Sequence, residues 1–420
     1  MSKLFPHNTL AFAIAFAVGG CGPATIDCGI AFEPDPITGE CVCRDGGTFV
    51  PSVGCVAPDA GMPSDAGVRD ASRDSGSPTD ASCETGTLEN CTACGESCAW
   101  ECTSAGCNDP VAIGVGPRHT CVARSGDGIA CWGDNEAGQL GDGTVAASSV
   151  PVPAAFGGRF VDVCAGGSVL GTPFSCALSQ TGLVSCWGSN LFGQLGPDAS
   201  GAESQTPVVV PLVDRARSID CALFGVCALT EAGEVWCWGN AFGMGGGASP
   251  RQVTGFAGRP SHLGIGDYHG CVLVDGGPPQ CWGQNGNGRL GDGSTTDRMS
   301  PAPVAGFERG AELLAVGPVN TCATDSDGRV HCWGEDFGLL PTLISGVVSP
   351  ISLGNDCAGL PDGVVCWRSA TEASRLEGTT SAIGQIDTGW ASTCGLADSG
   401  AVYCWADGAT SATLVPAARM

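Results

Sequence analysis

The sequence predicts an all-β protein assembled from seven copies of one supersecondary unit. Between residues 121 and 405, a cysteine is followed about nine residues later by Cys-Trp, and this pattern occurs seven times. Successive tryptophans of these units are 55, 51, 44, 51, 34 and 38 residues apart. Self-similarity at such periods is typical of propellers and solenoids, in which each unit buries its apolar surface against its neighbours.

Each unit is predicted to be a β-hairpin whose two cysteines face each other. In the first unit, pairing of Cys121 with Cys131 leaves a three-residue loop closed by Gly128, a common bulged hairpin. Opposed residues of antiparallel strands lie about 4.5–5.5 Å apart between Cα atoms, which is within disulfide reach. We therefore predict one disulfide in each unit. The pairs are Cys121–Cys131, Cys176–Cys186, Cys227–Cys237, Cys271–Cys281, Cys322–Cys332, Cys357–Cys366 and Cys394–Cys404.

The tryptophan of each unit is predicted to pack between units. Adjacent residues of a strand point to opposite faces, so each Cys-Trp places the ring away from the disulfide. A large ring that recurs in register is suited to fill the gap between neighbouring units. A ring of solvent-facing tryptophans that stacks on sugars is the alternative, but it would leave the units without large filling side chains.

The segment after Cys-Trp carries the family resemblance. In the better-preserved copies it reads Gly-x-Asn/Asp-x-x-Gly-Gln/Arg-Leu-Gly, at residues 133–141, 188–196 and 283–291. This motif resembles the regulator-of-chromosome-condensation repeat, and the resemblance implies a seven-bladed β-propeller over residues 111–420. In the last two units Arg368 and Ala406 replace the first glycine. A second cysteine in every blade departs from the nuclear members of that family and indicates an oxidising compartment.

Residues 1–20 are predicted to be a lipoprotein signal peptide. Lys3 precedes an apolar run from Leu10 to Val18 that is too short to span a bilayer. Residues 18–21, Val-Gly-Gly-Cys, resemble a bacterial lipobox, which implies acylation of Cys21. An ordinary secretory signal peptide is the alternative. We expect a lipoprotein of the cell envelope of a Gram-negative bacterium, on its outer membrane or cell surface, exported by the general secretory route and attached to membrane only through Cys21.

Two small disulfide-rich modules and a linker are predicted between the signal and the propeller. Residues 21–55 hold Cys28, Cys41, Cys43 and Cys55, and residues 83–110 hold Cys83, Cys91, Cys94, Cys98, Cys102 and Cys107. Even cysteine counts in short segments indicate disulfides. Zinc at the Cys91-x-x-Cys94 motif is the alternative, but the segment has no histidine, and we expect no metal. Residues 56–82 consist mainly of Asp, Ala, Gly, Ser and Pro, which predicts a disordered linker.

Cys164 and Cys221 remain after this assignment. They occupy similar places before the hairpins of the second and third units, in VDVCAGG and SIDCALFG. We therefore predict a disulfide between these two neighbouring blades.

Composition and motifs exclude several functions. The net charge is −25, with one lysine and seventeen arginines among 43 acidic residues, so we expect no nucleic-acid binding. We also expect no cofactor. Residues 286–291 match a dinucleotide fingerprint by letter but lie inside a blade unit, and residues 325–328 resemble a calcium loop but form a predicted hairpin turn. His119 and His269 occupy equivalent places and are predicted to make structural hydrogen bonds.

The most consistent function is a surface-anchored, non-catalytic binding or scaffold lipoprotein whose propeller face engages a protein partner. Long irregular loops supply the candidate binding residues. These loops are Gly166 to Pro173, Pro197 to Thr206 and Ala241 to Pro250. One alternative is an extracellular enzyme inhibitor, because a secreted β-lactamase inhibitory protein shares the propeller. Another is a hydrolase or lyase that acts on an envelope or extracellular polymer. Carboxylates with shifted pKa in a concave pocket would favour the enzyme, and an aromatic-rich face would favour binding.

Overall fold

Seven four-stranded antiparallel sheets follow one another along residues 110–414 of the computed structural model. The structure describes residues 108–415, apart from residues 127, 169–170, 241–246, 380, 390–391 and 407–408, and six short strands that precede them. Cys21, the cysteine pairings of both N-terminal modules and the predicted linker 56–82 lie outside the described residues, except that Val56 is the last residue of a strand. The chain divides into two compact units, Met1–Asp80 and Ala81–Met420.

The six short strands form three two-stranded antiparallel pairs. The first unit contains β1 (Phe32–Pro34) paired with β2 (Cys41–Cys43), and β3 (Thr48–Val50) paired with β4 (Gly54–Val56). In the second unit β5 (Cys102–Thr103) pairs with β6 (Gly106–Cys107).

The remaining 28 strands form the blades, four consecutive strands to each. Blade 1 comprises β7 (Pro110–Val115), β8 (His119–Arg124), β9 (Ile129–Gly133) and β10 (Ser148–Pro153). Blade 2 comprises β11 (Phe160–Gly166), β12 (Phe174–Ser179), β13 (Val184–Ser189) and β14 (Glu203–Val210). Blade 3 comprises β15 (Ala216–Cys221), β16 (Gly225–Thr230), β17 (Val235–Gly239) and β18 (Gly247–Val253). Blade 4 comprises β19 (Pro260–Ile265), β20 (His269–Val274), β21 (Gln280–Gly283) and β22 (Arg298–Pro303). Blade 5 comprises β23 (Ala311–Val316), β24 (Asn320–Asp325), β25 (Arg329–Gly334) and β26 (Gly338–Val348). Blade 6 comprises β27 (Ser352–Leu353), β28 (Cys357–Leu360), β29 (Gly363–Trp367) and β30 (Ala373–Leu376). Blade 7 comprises β31 (Ile383–Thr388), β32 (Ser392–Ala397), β33 (Val402–Ala406) and β34 (Thr413–Leu414).

The two middle strands of every blade form the hairpin that the sequence predicts. Cys121 lies directly opposite Cys131, and the two Cα atoms of this disulfide are 4.1 Å apart. Gly128 closes the first hairpin with a φ of +80°, a conformation that glycine adopts without steric cost. The same pairing and a disulfide occur in the other six blades. In blade 6, where the cysteines are nine apart, Leu360 pairs with Gly363 across a tighter turn.

The space between adjacent blades holds the disulfide of one blade and the tryptophan of the next. Cys176 and Cys186 of blade 2, for example, share an apolar cluster with Trp238 of blade 3. Equivalent clusters fill the other gaps. Trp238 also donates its indole N–H to the main-chain oxygen of Gln194 at 2.9 Å, a bond that ties blade 3 to blade 2. The prediction that these rings pack between blades is therefore confirmed.

Closure of the ring depends on side chains, since blades 1 and 7 each come from one continuous segment. Trp132 of blade 1 packs against the apolar cluster that contains Cys394 of blade 7. At the inner edge, Gln385 both accepts a hydrogen bond from the main chain of Ile113 and donates one to it. The all-β seven-bladed propeller predicted from the repeats is confirmed, and the residues that the structure describes include no helix able to cross a membrane.

Candidate binding face

The order of strands in a blade divides the connecting loops between two faces of the propeller. Within each blade, the loop from the first to the second strand and the loop from the third to the fourth strand lie together. In blade 1 these two loops are joined by an ion pair of 2.7 Å between Arg118 and Asp134. We call the face formed by these loops the upper face. The hairpin turns and the connections between blades form the lower face.

The described residues of all three candidate loops belong to the upper face of blades 2 and 3. Gly166 to Pro173 connects β11 to β12, Pro197 to Thr206 precedes and enters β14, and Ala241 to Pro250 precedes and enters β18. Their predicted limits are too wide, because Glu203–Val210 and Gly247–Val253 are strands. Main-chain pairing within the blade extends these strands into the predicted loops, since Glu203 pairs with Ser189 and Gly247 pairs with Gly239. Residues 169–170 and 241–246 lie outside the described residues.

Beside these loops the structure brings together an aromatic strip that crosses blades 2, 3 and 4. We define the aromatic strip as Phe192, Phe224 and Tyr268. The rings of Phe192 and Phe224 are 4.4 Å apart between centroids, and the guanidinium of Arg289 lies 5.0 Å from the centroid of Tyr268. Phe192 is 37% exposed and Tyr268 is 36% exposed, although both are large apolar rings. Aromatic rings with this partial exposure are enriched in protein interfaces.

Blades 3 and 4 are joined within this strip. The carboxylate of Asp267 accepts a hydrogen bond from the backbone of Leu223, the residue before Phe224. Burial raises the pKa of Asp267 to about 6, against the opposing effects of that hydrogen bond and of Arg289. The loops that carry Phe224 and Tyr268 therefore hold each other in place.

Sequence reasoning missed the aromatic strip, although the repeats contain a signal for it. The residue before the second strand of blades 1 to 5 is, in order, Arg118, Pro173, Phe224, Tyr268 and Val319. This position varies while the tryptophans of the units do not. Comparing the residue at this position from unit to unit, instead of comparing loop lengths, would have selected Phe224 and Tyr268, two of the three rings.

The first strands of the seven blades surround a central channel with a cavity volume of about 450 Å³. Four carboxylates line it: Asp267, described above, and Asp162, Asp220 and Asp387 of the first strands. Each of the three first-strand carboxylates accepts one hydrogen bond from the backbone N–H of the following residue and another from the first strand of the next blade. The second bonds are from Ile219 to Asp162 at 3.1 Å, from Ile265 to Asp220 at 2.7 Å and from Val115 to Asp387 at 2.7 Å.

Burial is the main cause of raised pKa values in the channel carboxyls. The pKa of Asp162 rises to about 6, that of Asp220 rises well above its ordinary value and that of Asp387 rises as well. The negative charge of Asp387 adds to the rise at the other two. Raised carboxyl pKa values in a concave pocket would favour a hydrolase, but both oxygens of Asp162, Asp220 and Asp387 already accept backbone hydrogen bonds. Asp267 accepts one from Leu223 of the neighbouring blade. The geometry therefore supports a role in joining the blades.

The buried histidines also join blades. His119 lies 2.9 Å from the Ser175 hydroxyl of the next blade, and that hydroxyl donates to the main-chain oxygen of Gln139. His269 makes the equivalent contact with Thr321 at 2.6 Å. Burial lowers the pKa of His119 to about 4 and that of His269 to about 3. The His119–Ser175 pair resembles a nucleophile with its base, but Ser175 is fully buried, so no substrate reaches it.

On the lower face, arginines fix the hairpins of neighbouring blades. Arg215 donates to the main-chain oxygen of Thr181 at 2.8 Å, and Arg259 donates to that of Glu231 at 2.6 Å. Both arginine side chains join adjacent blades. Arg215 and Arg259 therefore have a structural role on the lower face, whereas Phe192 and Tyr268 of the upper face keep more than a third of their surface exposed.

Comparison with known proteins agrees with this architecture. Residues 130–170 match the family model of the regulator of chromosome condensation (RCC1) repeat. The chain is similar to the E3 ubiquitin-protein ligase HERC2 of Homo sapiens, at 31% identity over 207 residues, which are 47% of this chain and 4% of that protein. It is also similar to the Ultraviolet-B receptor UVR8 of Arabidopsis thaliana, at 28% identity over 310 residues, or 70% of this chain and 64% of the receptor. The chain thus spans less than two thirds of the length of either relative.

Solved structures resemble the fold. Prp20p from Saccharomyces cerevisiae superposes with a TM-score of 0.57 and 17% identity, covering 73% of this chain and 87% of Prp20p. Human WBSCR16 gives a TM-score of 0.52 and 16% identity, with 73% and 82% covered. At this level of identity the likeness shows a shared fold alone.

Proposed function

We propose that this protein is a non-catalytic binding or scaffold protein that engages a protein partner through the upper face of blades 2 to 4. The aromatic strip carries the proposal, because Phe192 and Tyr268 stay partly exposed beside the three candidate loops. The similarity to RCC1-repeat proteins supports a binding role. Prp20p binds Gsp1p and histones, which is a property of that protein.

The proposal includes attachment to the cell envelope. The apolar run that ends at Val-Gly-Gly-Cys supports acylation of Cys21, and the paired cysteines support an exported protein. The partner would then be a protein of the envelope or the surrounding medium. Intact mass spectrometry of the mature protein is expected to find a lipid-bearing N-terminal Cys21. A mature chain that begins at another residue with a free amino group would contradict the anchor.

The test of binding is affinity capture from the native envelope with the full-length lipoprotein. Phe192→Ala combined with Tyr268→Ala is expected to abolish capture, because the two exposed rings would no longer contribute apolar contact area. Val213→Ala is the matched control, since this side chain is 78% exposed and lies in the connection from blade 2 to blade 3 on the lower face. Equal capture by the double variant and the control would place the binding site elsewhere.

Enzyme inhibition is a second function for the same face. The resemblance to a secreted inhibitory propeller supports it, and an inhibitor would use the same exposed rings. Capture followed by identification of a hydrolytic enzyme would favour inhibition. Turnover of an envelope glycan or ester by the purified protein, lost on Asp220→Asn, would instead favour the hydrolase and contradict the binding proposal.

A further inference from the structure

Two disulfides meet at the inner edge of blades 2 and 3. Cys164 of β11 is bonded to Cys221 of β15, with 5.5 Å between the Cα atoms, and Cys176 of β12 is bonded to Cys186. Cys164 and Cys176 are direct partners in the register of β11 and β12. The sulfur atoms of Cys164, Cys176 and Cys221 all lie within 4.8 Å of one another. Within the part of the chain that the structure describes, this is the one place where three cysteine sulfurs come together.

The two disulfides differ in access. Cys164 and Cys221 line the central channel, and Cys221 is half-buried. Cys176 and Cys186 are fully buried, as are Cys271 and Cys281 of the blade 4 disulfide. A dissolved thiol in the channel can therefore reach the bond between blades but not the bond inside blade 2. All three sulfurs are already in disulfides, so they do not offer thiolates to a metal ion.

We propose that these sulfurs form a thiol–disulfide exchange site, in which Cys164 passes from Cys221 to Cys176 when an external dithiol attacks. A thiolate of the dithiol attacks the sulfur of Cys221, forms a mixed disulfide there and displaces Cys164 as a thiolate. The Cys164 thiolate attacks Cys176, so that a Cys164–Cys176 bond forms and Cys186 leaves as a thiolate. The second thiol of the dithiol then displaces Cys221 and becomes a cyclic disulfide. Two electrons pass from the dithiol to the protein, which gains free thiols at Cys186 and Cys221.

The exchange would change the connection between two blades. The covalent link from β11 to β15 is lost, and the hydrogen bond from Ile219 to Asp162 is left to join these strands. The candidate loop Gly166 to Pro173 begins two residues after Cys164, and Gly167 donates a hydrogen bond to the main-chain oxygen of Ala222. The redox state of the three sulfurs is thereby coupled to the blade 2–3 part of the upper face. This inference does not depend on the identity of any partner.

The experiment is brief treatment of the folded, oxidised protein with dithiothreitol, followed by alkylation with iodoacetamide and non-reducing peptide mapping. The expected map contains label on Cys186 and Cys221 and a new Cys164–Cys176 peptide, while Cys271–Cys281 stays unlabelled. Cys271–Cys281 is the matched control because it is equally buried but has no third sulfur beside it. Label on Cys164 and Cys221 with Cys176–Cys186 intact would overturn the proposal, because it would show reduction without exchange.

A variant separates exchange from direct reduction of blade 2. In the double variant Cys164→Ser with Cys221→Ser, the attacking thiolate is absent, and label on Cys186 is expected to be lost under the same treatment. Label on Cys186 that persists in this variant would overturn the exchange step. Simultaneous opening of all blade disulfides in the wild-type protein would overturn it as well, and that measurement needs no variant to fold.

Discussion

Replacement of Asp162 by asparagine is expected to remove one part of the pH dependence of the propeller's stability. Burial in the channel raises the pKa of Asp162 from 3.8 to about 6, and hydrogen bonds from Ile219 and Val163 offset part of that rise. One pKa unit corresponds to about 1.4 kcal/mol. Ionisation of this carboxyl therefore costs about 3 kcal/mol more in the folded protein than in the unfolded chain.

The direction follows from proton binding. Between pH 4 and pH 6 the unfolded chain has released the Asp162 proton while the folded protein still holds it, so stability falls as the pH rises. The destabilisation is absent below the unfolded pKa of 3.8 and complete above the folded pKa of about 6. Asparagine does not ionise. The free energy of unfolding of the variant, minus that of the wild type, should therefore rise by up to about 3 kcal/mol between pH 4 and pH 7.

The assay is guanidinium unfolding at several pH values, followed by tryptophan fluorescence with the disulfides intact. Exchanging a carboxyl oxygen for an amide nitrogen also changes the free energy of unfolding by an amount that does not depend on pH. That amount does not affect the result, because only the pH dependence of the difference between variant and wild type is interpreted. Asp198→Asn, at an exposed acid of the upper face, is the control for the same substitution outside the channel. A difference for Asp162→Asn that is flat or falls as the pH rises would refute the role given to channel burial.

Three further predictions concern contacts within and between blades. Trp238→Phe removes an indole N–H that donates to a main-chain oxygen of the preceding blade, and should lower the free energy of unfolding by about 1–3 kcal/mol in chemical denaturation. Cys271→Ser with Cys281→Ser opens one blade disulfide and should cost at most about 3 kcal/mol, measured as a lower thermal midpoint. Gln385→Ala removes two hydrogen bonds to Ile113 and should cost about 1–3 kcal/mol, with faster hydrogen exchange in β7 and β31 than in β19. Uniform exchange across all first strands would contradict a local role for Gln385 in ring closure.

The fold was predictable because its defining contacts are local. A cysteine and its partner ten residues later are joined by a single hairpin, so spacing and turn residues such as Gly128 contain the needed information. The alternation of strand side chains then places Cys and Trp on opposite faces. Seven such units can bury their tryptophans only against one another. The sequence therefore predicts both the blades and the interior between them.

The candidate site was predictable only in part. Loop length selected candidate loops that lie on one face of blades 2 and 3, but their limits run into β14 and β18. No local sequence signal indicates that Phe192 and Phe224 are in contact. The two residues come from different blades, and the distance between their rings depends on how the blades are arranged. The carboxylates of the channel were missed for the same reason.

The repeated hairpin and its disulfide follow from the sequence because the residues that form them are about ten apart along the chain, and the seven copies predict seven blades. The tertiary structure alone decided which residues of different blades touch. It placed the sulfur of Cys176 within 4.8 Å of Cys164 and Cys221, and it put Asp387 within hydrogen-bonding distance of Val115. Those contacts join residues that are distant in the chain, and ring closure fixes their distances. A sequence pattern records neighbours along the chain, whereas the meeting of the first and last blades is a property of the closed ring.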